Sequence, residues 1–372
     1  MIRVLHVIPT LDRSGAEKQM TLLATHGGDS NPARSFAAEV VCLDRGGPYA
    51  ADLEAASVPV HVLGKRGKLD LGAIRRLRSH IRETAPDLVH SWLFAGLAYS
   101  SVSGASRRLH SLRCVDSWMG SPQRIAARLA ARKIDRFTAN SDAVADWYRD
   151  LGIGPVDVIP NAVAGTEMPV DRAAIRESLG LSSGSRVVLV VGRLAKQKRI
   201  RDLLWGFQLL RQTDERSRLL IAGDGPLKDE LIRYADDLEC GVDTQFLGHR
   251  SDVGRLLAAA DVLWLGSDFE GQSNSVMEAM AAGVPVVATS IDANRELIAH
   301  GESGYLANVG DSAAFAQFSA KLFGDPELSR QIADAARERI RQRHSVEAMV
   351  EAYAAIYRQM VGQTQPTAAE AA

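Results

Sequence analysis

The sequence has few cysteines, almost no net charge and no long hydrophobic run. Its 372 residues include three cysteines, which lie far apart and predict neither a disulfide framework nor a zinc site. The 44 basic residues nearly balance the 45 acidic ones, and a net charge of −1 gives the whole chain no field that would attract nucleic acid. No stretch approaches about 20 apolar residues, so we expect no membrane-spanning helix.

The first residues also lack the features of a signal peptide. The segment from Met1 to Ile8 has one early charge, no long apolar core and no small-residue cleavage site, and it predicts a strand instead. The proportions of hydrophobic residues (46%) and charged residues (24%) are typical of a globular protein. We therefore expect a cytoplasmic protein, with attachment to the inner face of the cell membrane as an open alternative.

Short β-branched runs alternate with longer helical patterns along the chain, which predicts an α/β fold with parallel sheets. Single cores stop growing near about 250–300 residues. The chain therefore predicts two domains, 1–164 and 165–345. A helix at about 346–361 has an apolar stripe that can pack back on the first domain, and residues 362–372 show no pattern and are predicted to be disordered. Strands are predicted at 3–8, 39–43, 60–63, 88–91, 113–115, 136–139, 156–159, 187–191, 219–222, 244–247, 262–265 and 284–288.

The segment from Gly266 to Pro285 carries the most chemical information. A predicted strand is followed by a polar loop with a glycine, then by a helix that begins near Asn274 and ends at Gly283. Such a loop brings backbone N–H groups and a helix start to the carboxyl edge of the sheet, where doubly wound folds bind ligands.

Two carboxylates, Glu270 and Glu278, accompany this loop and helix start. They are suited to accept hydrogen bonds from sugar and ribose hydroxyls. The alternative for Glu278 is an ordinary solvated position on a helix.

Three other loops follow predicted strands. The loop from Gly192 to Arg199 contains Arg193 and Lys198, two cations suited to a diphosphate; the alternative is a basic helix start exposed to solvent, which the helix dipole disfavours. The loop after residue 222 contains Gly223, which either contacts a ligand or only shapes a turn. The loop after the first strand contains Gly15 in a Ser-Gly-Ala-Glu segment, which is weak evidence by itself.

These four loops, in this order, resemble the family-four group of retaining glycosyltransferases, also described as glycosyl transferases group 1. The resemblance covers about residues 1–361, and its signature of two glutamates separated by seven residues is intact from Glu270 to Glu278. It implies the GT-B fold, in which two Rossmann-like domains with parallel sheets face each other and the last helix returns to the first domain.

The resemblance also implies roles for individual residues. Arg193 and Lys198 would stabilise the departing nucleotide diphosphate, Glu270 would bind hydroxyls of the donor sugar, and Glu278 would bind the ribose. The implied donor-binding residues are Gly15, Arg193, Lys198, Gly223, Arg250, Glu270, Gly271, Asn274, Ser275, Val276 and Glu278.

One position departs from the family pattern. Many members carry a histidine after a strand near the middle of the first domain, where this sequence reads Cys114-Val115-Asp116 without one. His90, at the end of the preceding predicted strand, and Asp116 are the candidates to replace it on the catalytic side. The alternative for His90 is an ordinary strand-end histidine.

The resemblance implies a hexosyltransferase that moves a sugar from a nucleotide-diphosphate donor, with UDP expected from family frequency, to a hydroxyl of a glycan or lipid-linked acceptor. We expect retention by front-face displacement, no required metal because the chain has no Asp-x-Asp triplet, and no cofactor besides the nucleotide sugar. A sugar-nucleotide epimerase on the same fold and a catalytically silent binding module remain alternatives.

A basic region suggests a further partner. Residues 65–136 contain fifteen Lys and Arg against five Asp and Glu, and Arg75, Arg76, Arg78 and Arg82 lie along one predicted helix. This pattern fits contact with an anionic membrane surface. The alternative is a set of solvated helix faces.

Overall fold

The structure is a computed structural model, and it describes residues 1–28, 36–67, 70–115, 119–165 and 171–362. The chain divides into two compact units. The first is Met1–Ala164 together with the C-terminal segment that begins at His344, and the second is Gly165–Arg343. Of the tail predicted to be disordered, only Gly362 falls within the described residues.

The first unit is a parallel sheet of seven strands in the order β3-β2-β1-β4-β5-β6-β7. The strands are β1 Ile2–Thr10, β2 Phe36–Arg45, β3 Val60–Val62, β4 Leu88–Trp92, β5 Arg108–Leu112, β6 Arg136–Ala139 and β7 Val156–Val158. The helices between them are α1 Gly15–His26, α2 Tyr49–Ala55, α3 Leu71–Thr84, α4 Leu93–Ser101, α5 Ser121–Ala131 and α6 Asp142–Asp150.

The second unit is a parallel sheet of six strands in the order β10-β9-β8-β11-β12-β13. Its strands are β8 Arg186–Val191, β9 Ser217–Ala222, β10 Thr244–Gly248, β11 Val262–Leu265, β12 Val286–Thr289 and β13 Tyr305–Ala307. Its helices are α7 Arg172–Ser178, α8 Ile200–Thr213, α9 Lys228–Asp237, α10 Val253–Ala259, α11 Asn274–Ala282, α12 Asp292–Leu297, α13 Ser312–Gly324 and α14 Pro326–Arg343.

In both sheets the strand order reverses next to the first strand, between β1 and β4 and between β8 and β11. The carboxyl ends of the strands at such a reversal leave a crevice, and this is where doubly wound folds bind ligands. The predicted α/β class with two parallel sheets is confirmed.

The last helix, α15 Val346–Val361, belongs to the core of the first unit. Tyr353 and Tyr357 are fully buried there, and the ring of Tyr357 meets the ring of Phe36 edge-on at 5.0 Å between centroids. Burial of each aromatic side chain contributes about 2–3 kcal/mol to folding. The predicted return of this helix to the first unit is therefore confirmed.

Within the described part of the chain, no helix combines the length and the apolar character needed to cross a bilayer.

Candidate functional site

The loops that follow β8 and β11 bring a lysine, a glutamate and a serine together at the carboxyl edge of the second sheet. The ammonium of Lys198 lies 2.5 Å from Oε1 of Glu270, and the hydroxyl of Ser267 donates to the same oxygen at 2.6 Å. Both charged side chains are largely buried, with 18% of the lysine and 11% of the glutamate exposed. The reversal point of the sheet thus holds a cation and a carboxylate in fixed positions.

The backbone conformation around Lys198 directs its side chain toward Glu270 at the carboxyl edge of the sheet. A 3-10 turn at Lys196–Lys198 is followed by Arg199 in the left-handed region, with φ of 49°, and α8 begins at the next residue. The aliphatic part of Lys198 runs over Gly192, where a built Cβ would lie 3.4 Å from Cε of the lysine. The turn therefore folds the lysine back over the end of β8.

The charges at this helix start are compensated within the protein. Arg199 pairs with Asp202 and with Asp268, the latter at 3.1 Å, while Lys198 pairs with Glu270. The alternative of a solvent-exposed basic helix start does not describe Lys198 or Arg199. The requirement for a compensating anion near a helix N-terminus is met by three carboxylates.

Hydrogen bonds connect the loop after β8 to the loop after β11. The amide side chain of Gln197 donates to the carbonyl of Phe269 at 2.6 Å, and the N–H of Asp268 donates to the carbonyl of Gln197 at 2.9 Å. Sequence reasoning missed Gln197, Arg199 and Ser267. Their nearness to Lys198 and Glu270 in sequence was a signal, but the side-chain partner of Gln197 is 72 residues away and one partner of Arg199, Asp268, is 69 residues away.

A hydrogen bond from the end of β12 holds the loop that contains Ser267 and Glu270. Ser267 is fully buried, and its carbonyl accepts a hydrogen bond from the hydroxyl of Thr289 at 2.6 Å. The carbonyl of Thr289 in turn accepts from the amide of Asn294 at 2.8 Å. These bonds fix the position from which Ser267 reaches Glu270.

Helix α11 begins and ends where the sequence predicts. Its N-cap is Ser273, whose hydroxyl accepts the N–H of Val276 at 3.4 Å, and it ends at Gly283 with φ of 71°. Gly271 is buried beside this start, Asn274 and Ser275 are half-buried, and Glu278 is half-buried one turn further along. The Val276 side chain is fully buried and its N–H is used by the cap, so this residue offers a ligand little besides its place in the helix start.

The loops after β8, β9 and β10 pack backbone against backbone. The N–H of Gly192 donates to the carbonyl of Ala222 at 3.0 Å, and the N–H of Gly223 donates to the carbonyl of Gly248 at 2.8 Å. A Cβ on Gly223 would lie 1.8 Å from the carbonyl oxygen of Gly192. Close packing therefore explains the glycine at 223 without a ligand contact.

The two predicted arginines of this unit differ in their surroundings. Arg193 is exposed, and among the described residues its guanidinium forms no ion pair. Arg250 forms two hydrogen bonds with the carboxylate of Asp252, at 2.7 and 2.6 Å, and this pairing lowers the pKa of Asp252. Arg193 is thus open to a ligand, whereas Arg250 would have to share its charge with Asp252.

In the first unit, Gly15 is the first residue of α1, after the carboxyl end of β1. The neighbouring Glu17 is buried, and burial raises its pKa. Its carboxylate accepts hydrogen bonds from Ser14 and from Thr10, the latter at 3.1 Å. Glu17 is the glutamate of the Ser-Gly-Ala-Glu segment, for which the sequence predicted no role, although serine three residues before glutamate is a known helix-start pattern.

The assignment of His90 to the catalytic side is wrong. His90 is fully buried, and its ring nitrogens lie 2.8 Å from the hydroxyls of Tyr357 and Ser111. The ring is also packed against His6 and Trp92. Both nitrogens are used within the core, so the alternative of a structural strand-end histidine is the correct one. Asp116, the other candidate, lies outside the described residues.

Within the part of the chain that the structure describes, no cluster of three or more His, Cys, Asp or Glu side chains is arranged to hold a metal ion.

The chain has two units, each built on a parallel sheet, and its charged loops lie at the carboxyl edge of the second sheet. This combination defines a GT-B-type protein. A family model described as Glycosyltransferase Family 4 matches residues 15–164, and one described as Glycosyl transferases group 1 matches residues 171–339. The chain belongs to the glycosyl transferases group 1 family.

Solved structures share the fold. The Anabaena protein HepE, crystallised in complex with UDP-glucose, superposes with a TM-score of 0.84 at 23% identity, over 96% of this chain and 100% of that one.

Curated relatives have named activities of their own. The chain is 30% identical over 298 residues to the 2-deoxystreptamine N-acetyl-D-glucosaminyltransferase of Streptomyces fradiae, covering 72% of this chain and 70% of that protein. It is 26% identical over 255 residues to the UDP-Gal:alpha-D-GlcNAc-diphosphoundecaprenol alpha-1,3-galactosyltransferase of Escherichia coli, covering 66% and 62%. The match to the N-acetyl-alpha-D-glucosaminyl L-malate synthase of Bacillus anthracis is 32% identical and covers 50% and 49%, so the chain spans about half the length of that relative.

Proposed function

We propose that the chain is a retaining glycosyltransferase that moves a hexose-type sugar from a nucleotide-diphosphate donor, UDP being the first nucleotide to test, to a hydroxyl of a glycan or lipid-linked acceptor. The observation that carries the proposal is the cluster of Lys198, Glu270 and Ser267 beside the start of α11. It combines a fixed cation, a helix N-terminus and a carboxylate, which suit a diphosphate and the hydroxyls of a sugar.

The ion pair suggests how a donor engages the site. A diphosphate near Lys198 would compete with Glu270 for the ammonium, because both are anionic. A Glu270 oxygen released in this way becomes available to accept a hydrogen bond from a sugar hydroxyl. Ser267 continues to donate to the carboxylate during this exchange, which keeps Glu270 in position.

The proposed chemistry is front-face displacement. The bond between the anomeric carbon and the diphosphate oxygen breaks, the acceptor oxygen forms its bond on the same face, and the acceptor proton passes to a phosphate oxygen. Lys198, Arg193 and the N–H groups at the start of α11 stabilise the negative charge of the leaving diphosphate. Catalysis would be electrostatic and positional, without a protein nucleophile.

The comparisons support the coarse features of this proposal. The named relatives include a transferase with a UDP-sugar donor and a diphospholipid acceptor, and the solved structure of HepE contains UDP-glucose. An assay with labelled UDP-glucose and UDP-galactose, with and without an acceptor extract, separates the candidate functions. A transferase needs the acceptor, an epimerase converts the donor without it, and a silent module does neither.

We expect transfer to continue in excess EDTA. Lys198, Arg193 and the helix start supply the positive charge that a metal ion provides in other sugar-nucleotide sites. The rate of labelled product formation should stay close to that of the untreated enzyme. Complete loss of activity, with recovery on addition of Mg²⁺ or Mn²⁺, would contradict the proposed leaving-group stabilisation.

We also expect the product to keep the anomeric configuration of the donor. The proposed site residues act on the donor, and none serves as a general base for attack from the opposite face. An α-linked donor should therefore give an α-glycoside, which the anomeric coupling in a proton NMR spectrum of fresh product identifies. A β-glycoside would rule out front-face displacement.

A further inference from the structure

Helix α5 of the first unit exposes two large aliphatic side chains on one face. Ile125 and Leu129 have 57% and 56% of their surface exposed. They lie four residues apart, so they are neighbours on the same side of the helix. Ala127 and Ala131, on the other side, are buried, and the helix packs on α4. The apolar pair therefore points away from the core of its unit.

The cations of α5 lie around this pair. Arg128 and Arg132 follow Ile125 by three and seven residues, positions that share its face, and Arg124, which precedes Ile125, is also exposed. The segment from Ser121 to Lys133 contains no acidic residue. Arg124 and Arg128 each donate from Nε to a main-chain carbonyl, of Met119 and Leu151 respectively, and within the described part of the chain their terminal nitrogens form no ion pair.

We propose that this surface, formed by Ile125, Leu129, Arg124, Arg128 and Arg132 and here named the α5 face, docks on an anionic lipid bilayer. Two aliphatic side chains surrounded by cations match the apolar boundary of a bilayer below anionic headgroups. A stable protein interface instead needs about 800 Å² on each partner with an apolar centre. Two aliphatic side chains surrounded by arginines are too small an apolar area to provide one.

Helix α3, which the sequence favours for membrane contact, fits less well. Arg76 is paired with the carboxylate of Asp70 at 3.3 Å, whereas none of the α5 arginines forms an ion pair within the described residues. Leu71 is the exposed apolar residue of this helix, at its first position. The anionic surface should therefore be bound by α5 more than by α3.

The position of α5 next to the first sheet indicates what membrane docking would achieve. Helix α5 follows β5, so its start lies toward the carboxyl edge of the first sheet, the edge at which such folds bind ligands. A bilayer bound to α5 would bring a lipid-linked acceptor to that edge. This last step rests on the proposed function, whereas the docking itself does not.

The test is co-sedimentation of the full chain with vesicles of phosphatidylcholine alone or mixed with phosphatidylglycerol, without any donor. The wild type should bind the mixed vesicles, and more weakly as salt is raised. Arg124→Gln with Arg132→Gln should weaken this binding by about 30-fold, from a factor of about five for each cation. Arg75→Gln with Arg82→Gln, which removes the same charge from α3, is the matched control and should have a much smaller effect.

Two further variants test the apolar pair. Ile125→Ser with Leu129→Ser should also reduce binding to mixed vesicles, and Ile125→Trp should show a blue shift of its fluorescence when these vesicles are added. Circular dichroism of each variant checks that it is folded, and the tryptophan variant reports on insertion even if the serine variant fails to fold.

Three outcomes would overturn the proposal. They are absence of binding to mixed vesicles by the wild type, equal losses in the α3 and α5 pairs, and a dimer that the serine variant abolishes, which would identify a second copy of the chain as the partner. Vesicle binding without sugar transfer would keep the docking and reject the proposed function. Sugar transfer without vesicle binding would do the reverse.

Discussion

Alanine in place of Lys198 should raise the barrier to sugar transfer by about 2–4 kcal/mol, which corresponds to a loss of about 30- to 1000-fold in rate. The ammonium is held at the reversal point of the second sheet by a turn, a glycine and a carboxylate, so it needs no rearrangement to meet a leaving diphosphate. A preorganised charge of this kind acts mainly on the transition state. The turnover number with saturating labelled donor is the measurement.

Lys196→Ala is the matched control, because Lys196 lies in the same 3-10 turn but is exposed. This control should keep nearly full activity. Because Lys198→Ala also leaves the largely buried Glu270 without its cation, the melting temperature of the variant must be measured beside its rate. Turnover close to wild type in a folded Lys198→Ala protein would reject the proposed role of Lys198.

Acid should destabilise the first unit well before its carboxylates are protonated. His6 and His110 are buried with a pKa of about 3, and burial holds the pKa of His90 well below its ordinary value, with smaller contributions from His6, His110 and Arg113. In the unfolded chain these histidines have a pKa near 6.5. Below that pH the unfolded state takes up protons that the folded state excludes, so the free energy of unfolding falls as the pH falls.

The expected loss between pH 7.5 and 5 is about 2 kcal/mol for each histidine, and up to about 6 kcal/mol for the three. Urea unfolding followed by fluorescence at a series of pH values measures it. His110→Gln should reduce the pH-dependent part by about a third, because it removes one of the three buried histidines. A free energy of unfolding that stays constant over this pH range would show that the histidines are not excluded from protonation.

The fold class could be predicted because its signal is local. Buried parallel strands such as β8 and β11 are continuous apolar runs, and α11 begins at Asn274 and ends before Gly283 as predicted. The prediction was wrong at β5, which is Arg108–Leu112 rather than 113–115, and it missed β13. Strand β5 contains His110 and Ser111, polar residues that look like a loop in the sequence but are buried in the sheet.

The error at His90 has the same physical cause. A histidine at the end of a strand is open to ligands in one fold and buried in another, and the difference depends on residues far along the chain. Here α15 supplies Tyr353 and Tyr357, and the hydroxyl of Tyr357 binds His90 across 267 positions of sequence. Ser111 joins the network and contacts the hydroxyl of Tyr353 at 3.1 Å. No local pattern reveals that these groups satisfy one another in a core.

The candidate site was predictable only in part for a related reason. Residue type and loop position pointed to Lys198 and Glu270, but the spacing could not show that they pair with each other. Gln197 looks like an ordinary loop residue until the two loops are brought together, because its partner Phe269 lies in the other loop. Ser267 binds Glu270 within one loop, but the hydrogen bond from Thr289 that holds Ser267 comes from the end of another strand.

The placement of α15 imposes an order on biosynthesis. A ribosome makes β1 to β7 early, yet the core of the first unit lacks Tyr353 and Tyr357 until α15 has left the exit tunnel. The second unit is continuous in sequence and is complete before then. The N-terminal strands therefore lack the packing of α15 while the rest of the chain is translated. A nascent chain released before α15 is made would expose its N-terminal residues, rather than its C-terminal ones, to proteases and chaperones.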